Sequence, residues 1–240
     1  MGSGQLHYLP LSGVSFSILA SILAVVFLLV QFGLFRFAYM RLGMSSGAAL
    51  LLLVGSLAGS YFNIPLTELP GHHELVAREV DYFGMQYVVP LVERWPGTML
   101  AVNVGGALIP TLTSLYLLTV NGMWMRGLLA TMAVAVVCYS LSAAVPGLGI
   151  AEPVFVPSLA AAIVALVLAR GDAAPLAYVG GSLGTLLGAD IFNLDKIAGL
   201  GAPVASIGGA GTFDGVFLIG VVAVALASLS GDRTEDPVAS

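Results

Sequence analysis

The stretch LLGADIFNLDKIAGLGAPVASIGGAGTFDGVFL (residues 186–218) ends one apolar run of the chain and begins another. It sets two aspartates, Asp190 and Asp214, inside sequence that is otherwise apolar enough to dissolve in lipid. An ionisable side chain within a membrane span costs about 2.5 to 3.5 kcal/mol on insertion scales, so such a residue is a candidate for function. The rest of the sequence predicts the surrounding fold and limits the chemistry in which these acids can take part.

The composition is that of an integral membrane protein. Of the 240 residues, 58% are hydrophobic and only 9% are charged, and the mean hydropathy is +1.01. A soluble domain carries roughly 25% charged residues, so lipid must cover much of this surface. We expect a multi-pass protein of the cell inner (plasma) membrane, which has the lipid bilayer as a partner and does not bind nucleic acid.

Seven apolar runs are long enough for transmembrane helices, since about 20 mostly apolar residues cross the hydrocarbon core. They predict an all-α membrane protein in which residues 1–240 form a single polytopic domain, and we expect the tail 231–240 to be disordered. The runs are 14–35, 46–62, 98–120, 123–144, 154–169, 173–194 and 212–229.

The positions of lysine and arginine favour an outside N-terminus and a cytoplasmic C-terminus, because cytoplasmic loops carry an excess of these residues. In this orientation five basic residues are cytoplasmic and three are not. The five are Arg36, Arg41, Arg126, Arg170 and Arg233, and the three are Arg78, Arg94 and Lys196.

The segment 64–97 is the one sizeable polar connection and joins the second and third runs. Its sequence REVDYFGMQYVVPLVER (residues 78–94) has two halves rich in Val, Tyr and Phe that meet at Gly84. This pattern predicts a small extramembrane β-hairpin, with Pro90 restricting the second strand to an edge.

The segment AGLGAPVASIGGAGT (residues 198–212) is too short to cross the membrane twice and too apolar for an ordinary aqueous loop. We expect a Gly-rich re-entrant segment between the sixth and seventh helices, which is tolerated only where protein or water satisfies its backbone. The N–H groups of Gly208, Gly209 and Gly211 would then face a cavity and suit an anionic group. Free carbonyls and the two aspartates would suit a hard cation.

Four further polar side chains are expected at the same depth as the two aspartates, towards the outside. Six oxygen-bearing side chains from five helices would then lie near one level, as a binding site for H⁺, Na⁺ or a divalent cation requires. Each also has a structural interpretation, as a helix cap or as an interhelical hydrogen bond. The four are Asn63, Asn103, Glu152 and Asn193.

Four blocks of the chain carry a resemblance to a known family: LLLVGSLAGSYFNIPL, AVNVGGALIPTLTSLYLL, APLAYVGGSLGTLLGADIFNL and GAPVASIGGAGTFDGVFL. They resemble an integral membrane family known as domain of unknown function 1614. The resemblance extends from about residue 35 to 229; it implies a membrane protein and carries no mechanism. A weaker likeness, in GADIFN (188–193) and GAGTFDG (209–215), is to presenilin-type intramembrane aspartyl proteases, although the tyrosine before the first aspartate is missing here.

Three functions remain open from the sequence. The first is cation binding or ion-coupled transport of a small solute, with Asp190 and Asp214 as the ion ligands. The second is an intramembrane hydrolase in which these two acids share a proton and are catalytic. The third is a non-catalytic membrane scaffold, in which the acids make structural hydrogen bonds. The substrate is not specified, and a homo-oligomer is compatible with all three.

Overall fold

The computed structural model describes residues 33, 34, 36–69, 73–82, 85–94, 97–145, 149–197, 204–209 and 215–231, with only the backbone described for the 73–94 segment. Several predictions therefore lie outside the described residues. These are most of the first apolar run, the turn at Gly84, the two site residues Gly211 and Asp214, and the tail from residue 232 onward.

The described part of the chain is mostly helical. Two helices are extended by wider turns: a π-helical turn at Val104–Leu108 leads into α2, and a second at Leu186–Asp190 follows α5. A 3-10 turn at Ile191–Asn193 then joins this second turn to α6. The helices are α1 (Ser46–Gly59), α2 (Ile109–Val120), α3 (Trp124–Leu141), α4 (Phe155–Leu168), α5 (Ala173–Thr185), α6 (Leu194–Ile197) and α7 (Gly215–Gly231).

Helix α5 is the centre of the bundle and packs against α2, α3, α4 and α7. Its glycines allow this close approach, because a side chain there would collide with a neighbouring helix. A Cβ on Gly184 would lie 2.7 Å from Cβ of Val134 in α3, and one on Gly181 would lie 3.2 Å from the Cα of Gly220 in α7. Close backbone packing at these glycines therefore adds to the contacts of buried side chains such as Leu176 and Tyr178 in the core.

Within the described residues seven strands accompany the helices, so the mostly helical protein that the sequence predicts also contains strands beyond the expected hairpin. One sheet has the order β1-β4-β7, with β4 antiparallel to β1 and parallel to β7. The predicted hairpin is present as β2 and β3, and a shorter one forms from β5 and β6. The strands are β1 (Asn63–Leu69), β2 (His73–Tyr82), β3 (Met85–Arg94), β4 (Thr98–Asn103), β5 (Ala143–Val145), β6 (Gly149–Ala151) and β7 (Val204–Ile207).

The third apolar run is thus only partly helical. Its first six residues form β4, and the helical part begins at Val104. The segment predicted to be re-entrant contains β7, which is extended and pairs with β4. Pairing to a sheet satisfies its backbone groups without a helix.

Among the described residues, α3 is the one helix that is both long and apolar enough to cross a membrane. Shorter apolar helices accompany it: Ser46–Gly59, Val104–Val120, Phe155–Leu168 and Gly215–Ser228.

The connections divide the bundle into two ends. The strands β1, β4, β5, β6 and β7 lie at the first, which we call the sheet end. The turns before α1, between α2 and α3 and between α4 and α5 lie at the second, the turn end, together with the C-terminal part of α7.

Candidate functional site at the sheet end

Asn103 is the centre of a hydrogen-bond network at the sheet end. Its side chain is fully buried, with an exposed fraction of 0%. Its Nδ2 donates to the carbonyl oxygen of Ser60 at 2.7 Å and to Oδ1 of Asn63 at 3.1 Å. Its Oδ1 accepts from the backbone N–H of Gly106 at 2.8 Å and so caps the π-helical turn. One amide therefore links the end of α1, strand β1 and the start of the α2 segment.

Strand β7 is tied to the same network. Asn63 pairs with Asn103 in the sheet, and Oδ1 of Asn63 also accepts a hydrogen bond from Oγ of Ser206 at 2.6 Å. The segment that follows α6 is thus attached by backbone pairing to β4 and by a side-chain bond to β1.

Gly208 lies between the two π-helical turns. Its N–H donates to Oδ2 of Asp190 at 2.7 Å, in the second turn. On the other side, a Cβ built on Gly208 would lie 2.6 Å from the backbone nitrogen of Ala107 in the first turn. π-helical turns often occur at functional sites, because the extra residue displaces the local backbone. Gly208 and Asp190 together link these two turns; we call the segment Val204–Gly209 the strap.

Glu152 lies next to this contact. The residue is partly buried, but its Oε1 atom is completely enclosed and has no hydrogen-bond partner. The thiol of Cys138 lies beside its carboxyl group, and the carboxylate of Asp190 is close enough to interact with it electrostatically. A buried carboxyl oxygen without a partner is costly, so this atom is where a proton or a cation would be most stabilising.

The donors of Asn193 are used on the backbone. This buried side chain donates to the carbonyl oxygens of Gly188 and Ala189, both at 2.9 Å, and its Oδ1 accepts from Nζ of Lys196 at 2.6 Å. The ammonium group also lies 4.8 Å from the ring centroid of Tyr139. Asn193 therefore satisfies carbonyls that the end of a helix leaves open.

Comparison with known proteins places the chain in one family. The model of a protein family described as protein of unknown function (DUF1614) matches residues 57–226, which is more than half of the chain. The chain belongs to this family. No curated protein and no solved structure matches it.

In this DUF1614 chain the predicted site residues fall into three groups. Asn63 and Asn103 contact one another, and Asp190 accepts a hydrogen bond from Gly208 and interacts electrostatically with Glu152. Asn193 lies apart from both pairs, and Gly209 donates its N–H to the carbonyl oxygen of Ser206 at 3.0 Å. Gly211 and Asp214 lie outside the described residues, so the expected pairing of Asp190 with Asp214 stays a prediction.

Sequence reasoning missed two neighbours of the site. Sγ of Cys138, on α3, lies 3.5 Å from Oγ1 of Thr185, on α5, and both side chains are buried. Both residues resemble ordinary small core residues of a membrane helix, and only tertiary packing places Cys138 beside Glu152 and Thr185 beside Cys138. Within the part of the chain that the structure describes, no three His, Cys, Asp or Glu side chains form a group that could hold a metal ion.

Replacing Gly208 with alanine is expected to detach the strap. Its φ is +87°, a left-handed conformation that favours glycine, and the added Cβ would meet the backbone of Ala107. We expect a loss of about 2 kcal/mol in the free energy of unfolding, measured by thermal denaturation of the purified protein. The control is Gly122→Ala, where φ is +61° but nothing lies within 4 Å, so that only backbone strain of about 1 kcal/mol is added. Equal losses in the two variants would contradict the close contact at Gly208.

Proposed function

We propose that this protein is a multi-pass membrane protein that binds a proton or Na⁺ between Glu152 and Asp190 and couples this binding to the movement of a small solute. The observation that carries the proposal is the enclosed Oε1 atom of Glu152, which has no hydrogen-bond partner and lies near a second acid. Two carboxylates at close range repel one another, and a bound cation or proton removes that repulsion.

The distribution of side-chain sizes supports a membrane location. Large apolar side chains are on the outside of the bundle: Phe155 is 79% exposed and Val167 is 77% exposed. The interior contains many small residues, such as Ala130, Ala161 and Ala165, beside large buried side chains such as Leu53 and Tyr178. A water-soluble bundle has the reverse arrangement, whereas transmembrane helices face lipid with large apolar groups and meet one another through small ones.

The proposed arrangement is seven spans in the inner (plasma) membrane, with the N-terminus outside and the C-terminus inside. The alternation of described connections between the two ends supports it, since Arg41, Arg126 and Arg170 all lie at the turn end. The turn end would then be cytoplasmic, in accordance with the preference of basic residues for that side. The sheet end, with the acids, would face outside, and the strap would be the re-entrant segment.

The strap would be the element that responds to the ion. Asp190 holds Gly208 through a hydrogen bond to its carboxylate, and such a bond is stronger when the acceptor is charged. A proton or Na⁺ arriving at the two acids competes for the same carboxylate oxygens. The bond to Gly208 weakens, and the strap is released from the second π-helical turn. Ion binding would in this way release the strap at the sheet end of the bundle, which faces outside in the proposed orientation.

Glu152 provides a test through pH. Burial, assisted by the charge of Asp190, raises the pKa of Glu152 from 4.5 to about 7, although the Cys138 side chain acts in the opposite direction. Because the folded-state pKa is the higher one, this group favours folding at low pH, and the advantage disappears as the pH rises from 4.5 through 7. We expect Glu152→Gln to raise the stability at pH 8 by about 2 to 3 kcal/mol, or roughly 5 °C in Tm, and to change little at pH 5. Thermal unfolding at the two pH values measures both effects.

The matched control is Glu68→Gln, which removes one carboxylate from an exposed position on β1 of the same sheet. This variant should keep the pH dependence of the parent protein. If Glu152→Gln keeps it as well, then Glu152 does not bind the proton and the proposal fails.

The ion is identified by titrating NaCl against choline chloride at constant ionic strength and pH 8, again by thermal unfolding. A Na⁺ site predicts stabilisation by Na⁺ that both Glu152→Gln and Asp190→Asn abolish. A proton site predicts a pH response without a Na⁺ response. Absence of both responses rejects the proposal. Where either response is found, uptake of a solute into reconstituted vesicles under an ion gradient tests the coupling.

A hydrolase is the second candidate, because the electrostatic contact between Glu152 and Asp190 is also what a pair of acid catalysts requires. In a hydrolase either Glu152→Gln or Asp190→Asn would abolish cleavage of a membrane-helix substrate. A protein that cleaves nothing but responds to the ion supports transport instead.

A further inference from the structure

A cavity of about 360 Å³ opens at the turn end of the bundle, on the opposite side of the protein from the two acids. Four separate parts of the chain form its walls. Arg41 comes from the helical residues before α1, and Asn121 comes from the turn between α2 and α3. Arg170 and Asp172 come from the turn before α5, and Ser228 comes from α7.

The cavity collects groups that bind anions. Two arginines, Arg41 and Arg170, are among its lining residues, and the guanidinium of Arg41 lies 5.0 Å from the ring centroid of Phe37. The first turn of the 13-residue helix α5 also faces it, through Ala173 and Ala174. The N–H groups of a first turn have no intrahelical acceptor, and Asp172 makes no side-chain capping bond to them.

Ser228 gives an independent indication of a ligand. Its side chain is only 7% exposed, it lines the cavity, and its Oγ has no hydrogen-bond partner. A buried hydroxyl normally finds a partner within the protein. The oxygen is enclosed in its present position, but the residue lines the cavity, so a rotation of the side chain about χ1 lets a bound group provide the missing acceptor.

From this arrangement we infer that the cavity binds a phosphate group, either as free phosphate or as the phosphodiester of a lipid headgroup. Two arginines match the oxygens of a phosphate in a forked geometry, and a helix N-terminus and a hydroxyl donate to the remaining oxygens. Asp172 also lines this cavity, and the negative charge of its carboxylate weakens the binding of an anion. This site is independent of the proposed ion site at the other end of the bundle.

The experiment uses the full chain in a non-ionic detergent that contains no phosphate. Thermal unfolding is followed during titration with inorganic phosphate, with short-chain phosphatidylglycerol, and with a monoacylglycerol of equal chain length as the uncharged lipid control. A rise in Tm with inorganic phosphate identifies a site for the free ion. A rise with the phospholipid alone identifies a headgroup site. If neither probe raises Tm, or the uncharged lipid raises it equally, the inference is wrong.

Variants then test which residues bind the phosphate. Arg170→Gln is expected to weaken binding of the active probe by about tenfold or more, and Ser228→Ala by roughly threefold without loss of stability in the absence of ligand. Asp172→Asn is expected to tighten binding by removing a like charge. Arg126→Gln is the matched control, because Arg126 lies in the first turn of α3 at the same end and does not line the cavity.

Equal weakening by Arg126→Gln and Arg170→Gln would mean that only the overall positive charge matters, and would overturn the site. Glu152→Gln should leave phosphate binding unchanged, so that failure of the ion-binding proposal and failure of this one can be told apart.

Discussion

Alanine at Gly188 is expected to destabilise the protein by about 4 kcal/mol, or roughly 10 °C in Tm, because helix α3 and the π-helical turn that extends helix α5 have no room for a methyl group between them. A Cβ on Gly188 would collide with the carbonyl oxygen of Ala135 and would lie 2.8 Å from its Cα. These are backbone atoms of α3, and they cannot rotate away. The two helices must separate, and thermal unfolding of the purified protein measures the cost.

The same separation should disturb the site. Gly188 lies two residues before Asp190, and its carbonyl oxygen accepts a hydrogen bond from Asn193. Moving α5 away from α3 also breaks the contact between Cys138 and Thr185. We therefore expect Gly188→Ala to weaken the pH dependence that Glu152 provides, as well as the fold.

Gly47→Ala is the matched control for this substitution. Gly47 lies in the first turn of α1, it is exposed, and nothing would lie within 4 Å of an added Cβ. Alanine there should raise stability by about 0.5 to 1 kcal/mol, since it favours the helix. If Gly188→Ala is as stable as Gly47→Ala, the close packing of α3 against α5 does not exist.

The positions of the helices could be predicted from the sequence because the signal is local. An apolar run such as 123–144 contains its own helix, and α3 occupies Trp124–Leu141 within it. The end of the bundle at which the polar residues lie could also be predicted, because consecutive helices alternate in direction. This places Asn63, Asn103 and Glu152 at the same end, where the structure has them.

The three-stranded sheet could not be predicted in this way. The residues of β4, TMLAVN, are apolar and continue directly into the helical segment that begins at Val104. They are extended because they pair with β1 and with β7, and β7 is about a hundred residues further along the chain. The pattern of residues in a short stretch of sequence does not reveal pairing between strands that are so far apart along the chain.

The described neighbours of Asp190 could not be predicted from the sequence, for the same reason. The sequence indicated Asp214, on the next apolar run, and because Asp214 lies outside the described residues this pairing stays a prediction. Among the described residues, the N–H of Gly208 donates to Asp190, and the carboxyl group of Glu152 interacts with it electrostatically. Glu152 is 38 residues before Asp190, on a connection that the sequence presents as an ordinary helix end. Only the packing of α3 and α4 against α5 brings the two acids within range of an electrostatic interaction.

Replacing Asn103 with leucine is expected to cost about 4 kcal/mol, because leucine has a similar size but makes none of the hydrogen bonds of the amide. The substitution leaves the carbonyl oxygen of Ser60 and the N–H of Gly106 without their side-chain partner in a buried region. Each such group costs about 1 to 3 kcal/mol. Chemical denaturation at constant pH measures the loss.

Asn121→Leu is the matched control, because its Nδ2 also donates to a backbone carbonyl, that of Leu117 at 2.9 Å, but the residue is exposed. Water can replace the bond there, so we expect a loss below about 1 kcal/mol. If both variants lose an equally small part of the free energy of unfolding, the network around Asn103 does not hold the sheet end together. If Asn103→Leu is unstable and also loses the pH response of Glu152, then the sheet positions the strap, and the strap in turn holds Asp190 beside Glu152.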